Sequence, residues 1–425
     1  MMSEHPAFSR DHAALLHTLA QAPRLLLIQD LDGVCMGLVR DPLTRQLDRG
    51  YIQAARQLDG SFYVLTNGEH IGSRGVNAIV EQAFVPPEHP REQGFYLPGL
   101  AAGGVQLQDR HGRVSHPGVS EAELRFLAGV PVRATRFLTS LLANAPFHLD
   151  PHEIPALVGT TVLDNPASPT LNLNALHARL APAPERYGHL QQAAGDFMQE
   201  LLDEARAEGL GDAFFVHYAP NLGRDGQGQE RMKPADTQQA GTTDFQFMLK
   251  GAVKEVGVLV ILNHYYHRHT GHWPLGEHFN ARQAPRDPHA LLQLARTCLD
   301  PALMPHLVGV GDTVASAPHI DEDGTTAWLR GGSDRGFLLL VQQLGQAMGS
   351  PATTVYIDSS GGEVRRPGID PAALERASDA PWDALAGITD ADDPLRLDVL
   401  FTGGHGEYVA FFRELAQRRS VHGGG

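Results

Sequence analysis

Two carboxylates in LLLIQDLDG stand two residues apart, Asp30 and Asp32, just beyond an apolar run that reads as a strand. In open parallel sheets ligands bind beyond the carboxyl ends of the strands, and two acids leaving a strand there can face one site. A second apolar run, FYVL, ends on Thr66-Asn67-Gly68 and delivers a hydroxyl. Lys250, in MLKGAVKEVG, stands at the start of a helical pattern, with Lys254 one turn further along the same face. The run LVGVG then ends on Asp312. Each feature has a plain structural explanation: a turn for Asp-Leu-Asp-Gly, a helix cap for Thr66, a solvated helix charge for the lysine. Taken in this order they meet the needs of phosphoryl transfer through a covalent enzyme intermediate. Asp30 is the expected nucleophile, forming an aspartyl-phosphate. Asp32 is the expected acid for the leaving alkoxide and then the base for the attacking water. Thr66, with Asn67 and the amides that follow, is suited to hold a phosphoryl oxygen, and Lys250 to neutralise charge on the phosphate and on Asp30. Asp30, the main-chain carbonyl of Asp32 and Asp312 make an all-oxygen site suited to Mg²⁺, which would polarise the phosphate. Asp32 also favours rapid hydrolysis of an ester with a poor leaving group, such as a sugar or glycerol alkoxide.

The elements that must carry these residues follow from the apolar pattern. Strands are expected over Arg24–Ile28, Phe62–Leu65, Phe214–Tyr218, Leu307–Gly311 and Thr354–Ile357, with a hairpin around Asp109–Gly112. Helices are expected over residues 11–21, 48–58, 75–84, 245–266, 337–344 and 408–417. Strands alternating with helices predict right-handed βαβ units and a parallel, Rossmann-like sheet. Residues 119–235 read as mostly helical, broken by prolines, and Gly223–Thr243 as a polar, Gly-rich segment. The spacing agrees: 36 positions separate Asp30 from Thr66, whereas 184 separate Thr66 from Lys250. The fold class is therefore α/β, a core of residues 1–117 and 236–425 with an α+β cap of residues 118–235 inserted after the second motif strand.

Composition narrows the function. The net charge of -15 argues against a nucleic-acid partner and against an anionic membrane surface. Two cysteines, Cys35 and Cys298, exclude a disulfide scaffold and a cysteine-based zinc site. Cys35 reads as a packed thiol. The polar N-terminus lacks the apolar core of a signal peptide, and a cytoplasmic location is the expectation. Of 34 basic residues only Lys233, Lys250 and Lys254 are lysines, which favours ammonium chemistry for that stretch. In GGSDRGF, Asp334 is a further acid for the metal or for the groups behind it. The histidines of NHYYHRHTGH read as helix C-terminal residues more than as a metal site.

The stretches LIQDLDGVCMGLVRDPLTR, FYVLTNGEHIGSRGV, YLPGLAAGGVQLQDRHGRVSHPGV, FFVHYAPNLGRD, GTTDFQFMLKGAVKEVGVL and GVGDT, with GGSDRGF behind them, resemble the glucosylglycerol-phosphate phosphatase family of the haloacid-dehalogenase-like superfamily. The likeness runs from about Phe8 to Arg419. It implies hydrolysis of 2-O-(α-glucosyl)-glycerol 3-phosphate to glucosylglycerol, a compatible solute of the osmotic stress response. It also implies a partner reaction, the synthase that makes the phosphorylated precursor. Many related sugar phosphatases carry a second acid within a few residues of the Asp312 position; Thr313–Ser316 has none, which makes Asp334 the candidate. A cap after the second strand is similar to the arrangement in sucrose- and trehalose-phosphate phosphatases. Sucrose 6-phosphate or trehalose 6-phosphate is thus the alternative substrate, and an inactive module that regulates the synthase is the alternative of another class. Within the cap, the segment His217–Asp225 is rich in groups that bind sugar hydroxyls, and Asn221 and Arg224 are its expected substrate contacts.

Overall fold

The computed structural model describes residues 7–422 apart from 73, 86–87, 227, 237–238, 321–325 and 377–380. The first six residues, part of the N-terminus whose polarity argues against a signal peptide, lie outside these, as do parts of the Gly-rich segment. Leu25–Gln29 (β1) is buried along its whole length, as a central parallel strand must be. It is followed by Phe62–Leu65 (β2), Gly99–Ala101 (β3), Gln106–Gln108 (β4) and Val114–Ser115 (β5). The chain then leaves the sheet. It builds the helices Glu121–Ala143, Ile154–Thr161, Asn174–Leu180 and Pro184–Ala207, with strands Val162–Leu163 (β6), Thr170–Asn172 (β7), Phe214–Ala219 (β8), Asn221–Arg224 (β9), Glu230–Met232 (β10) and Asp244–Leu249 (β11). It returns through the helix Lys254–Thr270 to His306–Gly311 (β12). A hairpin of Ala315–Ile320 (β13) and Thr326–Gly331 (β14) comes next, then the helix Arg335–Met348, Ala352–Ile357 (β15) and Val399–Phe401 (β16).

The main sheet has the order β16-β15-β12-β1-β2-β3-β4-β5. The first six of these run parallel; at the edge β4 runs antiparallel to β3, and β5 pairs antiparallel with β4. The chain winds outward from β1 in one direction through β2 and β3, and from β12 in the other through β15 and β16. A crevice therefore opens beyond the ends of β1 and β12, where the order reverses. Alternation along the strands fills both faces. Leu25 and Leu27 of β1 join Phe62, Val64, Val308, Val310 and the C-terminal helix on one side. Leu26 and Ile28 join Leu307, Tyr356, Val256 and Leu338 on the other. Fully burying one such side chain is worth about 1.5–3 kcal/mol, enough to fix the register of β1 and hence the position of Asp30.

The inserted sheet, β6-β7-β11-β8, corrects two expectations. Phe245–Leu249 belongs to a strand, β11, paired with β7 and β8, and the helix begins only at Lys254. The run FQFML fits a period of two as well as a helical one, and pairing on both sides decides between them. β11, which falls in the 236–425 stretch expected in the core, accordingly belongs to the insert's sheet. β3, β16 and the hairpin β13–β14 were not among the expected strands; the first two are three residues each, too short to show a pattern. Side chains of the loop after β2 bind the insert. Arg74 bonds Asp164 and the Gly159 carbonyl, and Glu69 accepts from Ala167 N and Ser168 Oγ. Among the described residues no helix is long and apolar enough to cross a membrane.

Candidate active site

Asp30 is the first residue past β1. Its N–H bonds Val310 O of β12 at 3.0 Å, so the two central strands hold it between them. Its Oδ1 accepts from Leu31 N at 2.8 Å and its Oδ2 from Lys254 Nζ at 2.6 Å. Asp312, the first residue past β12, faces it across the crevice. Gly33 lies against Asp312 with φ +79°, and a Cβ there would overlap the Asp312 carboxylate, so the fourth position of Asp-Leu-Asp-Gly must be glycine. Asp334 precedes the Arg335–Met348 helix and is fully buried. Its Oδ2 accepts from the N–H groups of Asp312 and Thr313 at 2.9 and 3.0 Å, and its Oδ1 from Lys254 Nζ at 2.6 Å. It thus fixes both the loop that carries Asp312 and the ammonium that meets Asp30.

The lysine at the site is Lys254. Lys250, expected there, ends up on the surface opposite Asp212 at 3.2 Å. Lys250 follows directly on β11, and the turn Gly251–Val253 intervenes before the helix starts. The residue that enters the crevice on the first helical turn is therefore the one four positions later. Lys254 is 2% exposed and spans two buried carboxylates. Burial opposes its charge, but Asp30 and Asp334 overcome that and keep it protonated.

The balance of charge is informative. Carboxylate oxygens of Asp30, Asp312 and Asp334 lie within 4.8 Å of one another, all three residues buried, with one ammonium among them. Burial lifts Asp30 to about 7, Asp334 and Asp32 adding to it while Lys254 pulls the other way. Burial, then Asp334 and Asp30, push Asp312 well above the usual carboxylate range. One oxygen of Asp312, Oδ2, is buried with no hydrogen-bond partner. Surplus buried negative charge with an unpartnered carboxylate oxygen is a donor set that fits a hard divalent cation.

The other sequence candidates sit around the same cleft. Asp32 faces it, bonded through Oδ2 to Arg45 Nη1 at 3.0 Å. Thr66, past β2, is fixed through its N–H to Leu100 O, and its hydroxyl accepts from Gly68 N at 3.2 Å. Asn67 lines the cleft with its amide 2.8 Å from His217 Nε2. Asn221 and Arg224 line a neighbouring cavity beside Lys254, which meets the Asp30 cleft at Asn67 and Ser333. There the Asn221 amide is occupied within the protein: Nδ2 donates to Tyr218 O and Glu230, and Oδ1 accepts from Gly223 N and Gly332 N. Arg224 is half exposed, 3.7 Å from Glu230. Cys35 is buried and donates to Leu31 O, as expected of a packed thiol. Sequence reasoning passed over Arg45, Arg366, Asn172, Asn174, Asp244 and Gln246, which also line the cleft. The alternation in TLNLN and DFQF was the available sign for the last four.

A carboxylate held by two strands, a buried ammonium, a hydroxyl and a second, more accessible acid can together carry out nucleophilic substitution at phosphorus. The comparisons agree with this chemistry. A family model described as glucosylglycerol-phosphate phosphatase matches residues 24–416. The chain belongs to the glucosylglycerol-phosphate phosphatase family. A curated glucosylglycerol-phosphate phosphatase from Synechocystis sp. is 51% identical over 425 residues, 99% of each chain. Solved structures are more distant. The C-terminal domain of trehalose-6-phosphate phosphatase from C. albicans gives a TM-score of 0.47 at 11% identity, covering 97% of this chain and 99% of that one. The Aspergillus fumigatus trehalose-6-phosphate phosphatase, crystal form 2, gives 0.38 at 10% identity, covering 97% and 100%. Family membership and the α/β architecture agree with the haloacid-dehalogenase-like class expected from the motifs.

Proposed function

We propose that this chain hydrolyses 2-O-(α-glucosyl)-glycerol 3-phosphate to glucosylglycerol and phosphate, with Asp30 as the nucleophile. The observation that carries the reading is the buried group Asp30–Lys254–Asp334–Asp312 at the switch point of the sheet, in a chain of this family. Asp30 attacks phosphorus, the bond from phosphorus to the glycerol oxygen breaks, and Asp32 gives that oxygen its proton. Asp32 then takes a proton from the water that attacks the aspartyl-phosphate, which releases phosphate and restores Asp30. Thr66 and Asn67 orient the phosphoryl oxygens, and Lys254 offsets the charge that gathers on them. Arg45 holds the Asp32 carboxylate in position. Mg²⁺ is the cation this donor set favours; Asp30, the Asp32 carbonyl and Asp312 would hold it, with Asp334 behind them. When bound it would neutralise charge on the phosphate.

The insert, running from residue 118 to β11, acts on this reading as a cap over the cleft. The substrate implies a synthase upstream that joins the glucosyl and glycerol 3-phosphate parts, and the cytoplasm as the place of action. The test is phosphate release from glucosylglycerol 3-phosphate, sucrose 6-phosphate and trehalose 6-phosphate, with and without Mg²⁺. We expect the first to be preferred and Asp30→Asn to abolish turnover. Preference for either disaccharide phosphate would overturn the substrate, and substantial activity of Asp30→Asn would overturn the nucleophile.

A further inference from the structure

The insert turns polar groups toward the cleft of Asp30, and two of its amide oxygens, one on β11 and one at the start of the Asn174–Leu180 helix, have no partner. The segment from β7 onward reads Thr170-Leu-Asn172-Leu-Asn174, and β11 reads Asp244-Phe-Gln246-Phe. Alternate side chains of a strand point to opposite faces, so Thr170 and Asn172 of β7 share a side with Asp244 and Gln246 of β11, and Asn174, which opens the next helix, lines the same cleft. Register assembles them: Asp244 lies opposite Asn172 and Gln246 opposite Thr170, with His217 beyond Gln246 on β8. Leu171, Leu173, Phe245 and Phe247 are completely buried in the apolar core. The polar partners line the cleft that contains Asp30 and Asp32.

Hydrogen bonds are unevenly distributed over this face. Asn172 Nδ2 donates to Asp244 Oδ1 at 2.8 Å, and its Oδ1 accepts from Asn174 N at 3.2 Å. Thr243 Oγ1 occupies the other Asp244 oxygen at 2.9 Å, and Thr170 Oγ1 donates to Ser168 O at 2.7 Å. Asn174 Oδ1 and Gln246 Oε1 are buried without any partner, in residues 6% and 8% exposed. Leaving a buried acceptor unsatisfied costs about 1–3 kcal/mol each, and a leucine at either position would avoid that cost. Two such groups on one cleft wall, with the Asn172–Asp244 pair between them, are suited to an extended ligand that supplies the missing bonds. Turned end for end, either amide would offer N–H in place of oxygen. A hydroxyl both donates and accepts, so it satisfies either orientation. Neither amide carries a charge, which suits a neutral hydroxylated group better than a second anion.

We propose that Asn174 and Gln246, on a floor stiffened by Asn172 and Asp244, bind hydroxyls of the non-phosphorylated part of the substrate and set which glycosyl phosphate is accepted. This rests on the phosphatase reading of the site. It moves the specificity surface from the 217–225 segment to the face of the inserted sheet.

The test uses Asn174→Leu and Gln246→Leu in the full chain, with kcat/KM measured on glucosylglycerol 3-phosphate and on p-nitrophenyl phosphate. The loss should be at least roughly ten-fold greater on the glycosylated ester. Equal losses on both esters, or none on either, overturn the proposal. Should a leucine variant fail to fold, the wild-type enzyme is assayed on substrates that each lack one glucosyl hydroxyl. At least one deletion should then cost roughly ten-fold or more, and a series in which none does overturns the proposal. If the wild type ignores glucosylglycerol 3-phosphate but hydrolyses sucrose 6-phosphate or trehalose 6-phosphate, only the substrate assignment falls. The same comparison on that ester then decides the role of the amides. A wild type that hydrolyses no glycosyl ester overturns both.

Discussion

Replacing Lys254 separates the observed site from the one that spacing first suggested. Its ammonium touches Asp30 and Asp334, each at 2.6 Å, and none of the three side chains is more than 10% exposed. Removing one partner of a buried ion pair costs about 3–5 kcal/mol, because the remaining charge is left buried and unpaired. Lys254→Ala leaves two such carboxylates side by side, so its loss of stability should reach at least that range. Catalysis loses more than stability, since the charge developing on the phosphoryl oxygens has no ammonium beside it. Losing one preorganised donor of this kind costs about 10²–10³ in kcat. Lys254 also orients Asp30, so a loss of about 10³ or more is expected. Lys254→Met keeps the length and removes only the charge, which separates packing from electrostatics. Lys250→Ala is the control. Its partner Asp212 has a side chain 75% exposed, and such pairs contribute about 0.2–1 kcal/mol. Its kcat should stay within about two-fold of wild type. Phosphate release and urea titration measure both quantities. A folded Lys254→Met enzyme within ten-fold of wild type, or a Lys250→Ala enzyme that has lost about a hundred-fold, would refute the assignment.

Asp32→Asn should slow a sugar-alcohol ester far more than p-nitrophenyl phosphate, whose leaving group needs little protonation; equal losses would remove Asp32 as the general acid. Activity should require Mg²⁺ and vanish in EDTA, and Asp312→Asn should raise the Mg²⁺ concentration needed for half activity; full turnover in chelator would exclude the metal site. His70 gives a pH test. It is fully buried, bonds Gly99 O through Nε2 at 3.2 Å and has Gln108 Nε2 3.3 Å from Nδ1, an environment for the neutral ring. Burial lowers it from 6.5 to about 4 against the pull of the Gly99 carbonyl. With the folded value below the unfolded one, its stabilising share is complete above about pH 6.5 and is lost as pH falls toward 4, about 3 kcal/mol in all. Urea titrations across that window should show His70→Leu losing less stability than wild type, and parallel losses would clear His70.

The placing of Asp30, Thr66 and Asp312 at the cleft was legible because each sits directly after a strongly apolar strand, and a strand end in a parallel sheet has one destination. Lys254 was harder to read than Lys250 because its position depends on where the helix begins. That start is set by a strand, β11, whose pairing partners are 25 and 72 residues or more away along the chain. FQFML satisfies both periods, so local pattern could not decide between strand and helix. Asp334 was visible as a candidate, but its role depends on Asp312 N, Thr313 N and Lys254 converging on one carboxylate, which is purely a matter of tertiary geometry. The 217–225 segment drew attention through composition. In the fold, the Asn221 amide is consumed in joining β9 to the β13–β14 hairpin through Gly332, whereas the less conspicuous alternation in TLNLN left unpartnered groups on the cleft.

The same geometry explains why the site persists although it opposes folding. Asp30, Asp312 and Asp334 crowd three acids around one ammonium; loss of water raises Asp30 and Asp312, and the neighbouring carboxylates add to it. Such a cluster would relax if the backbone could move. It cannot: Asp30 N is tied to β12, and Asp334 is tied to the main chain of Asp312 and Thr313. Close packing also demands glycine at Gly33 and Gly311, where a Cβ would strike Asp312 and Asp334 in turn. The strands on either side supply the burial that holds this arrangement in place. A cation bound at Asp30 and Asp312 would then gain affinity from repulsion built into the fold. On the proposed reading, Mg²⁺ affinity and the mutual repulsion of these acids are two expressions of one interaction, and a substitution that relieves the repulsion, such as Asp312→Asn, should stabilise the fold while weakening the metal site.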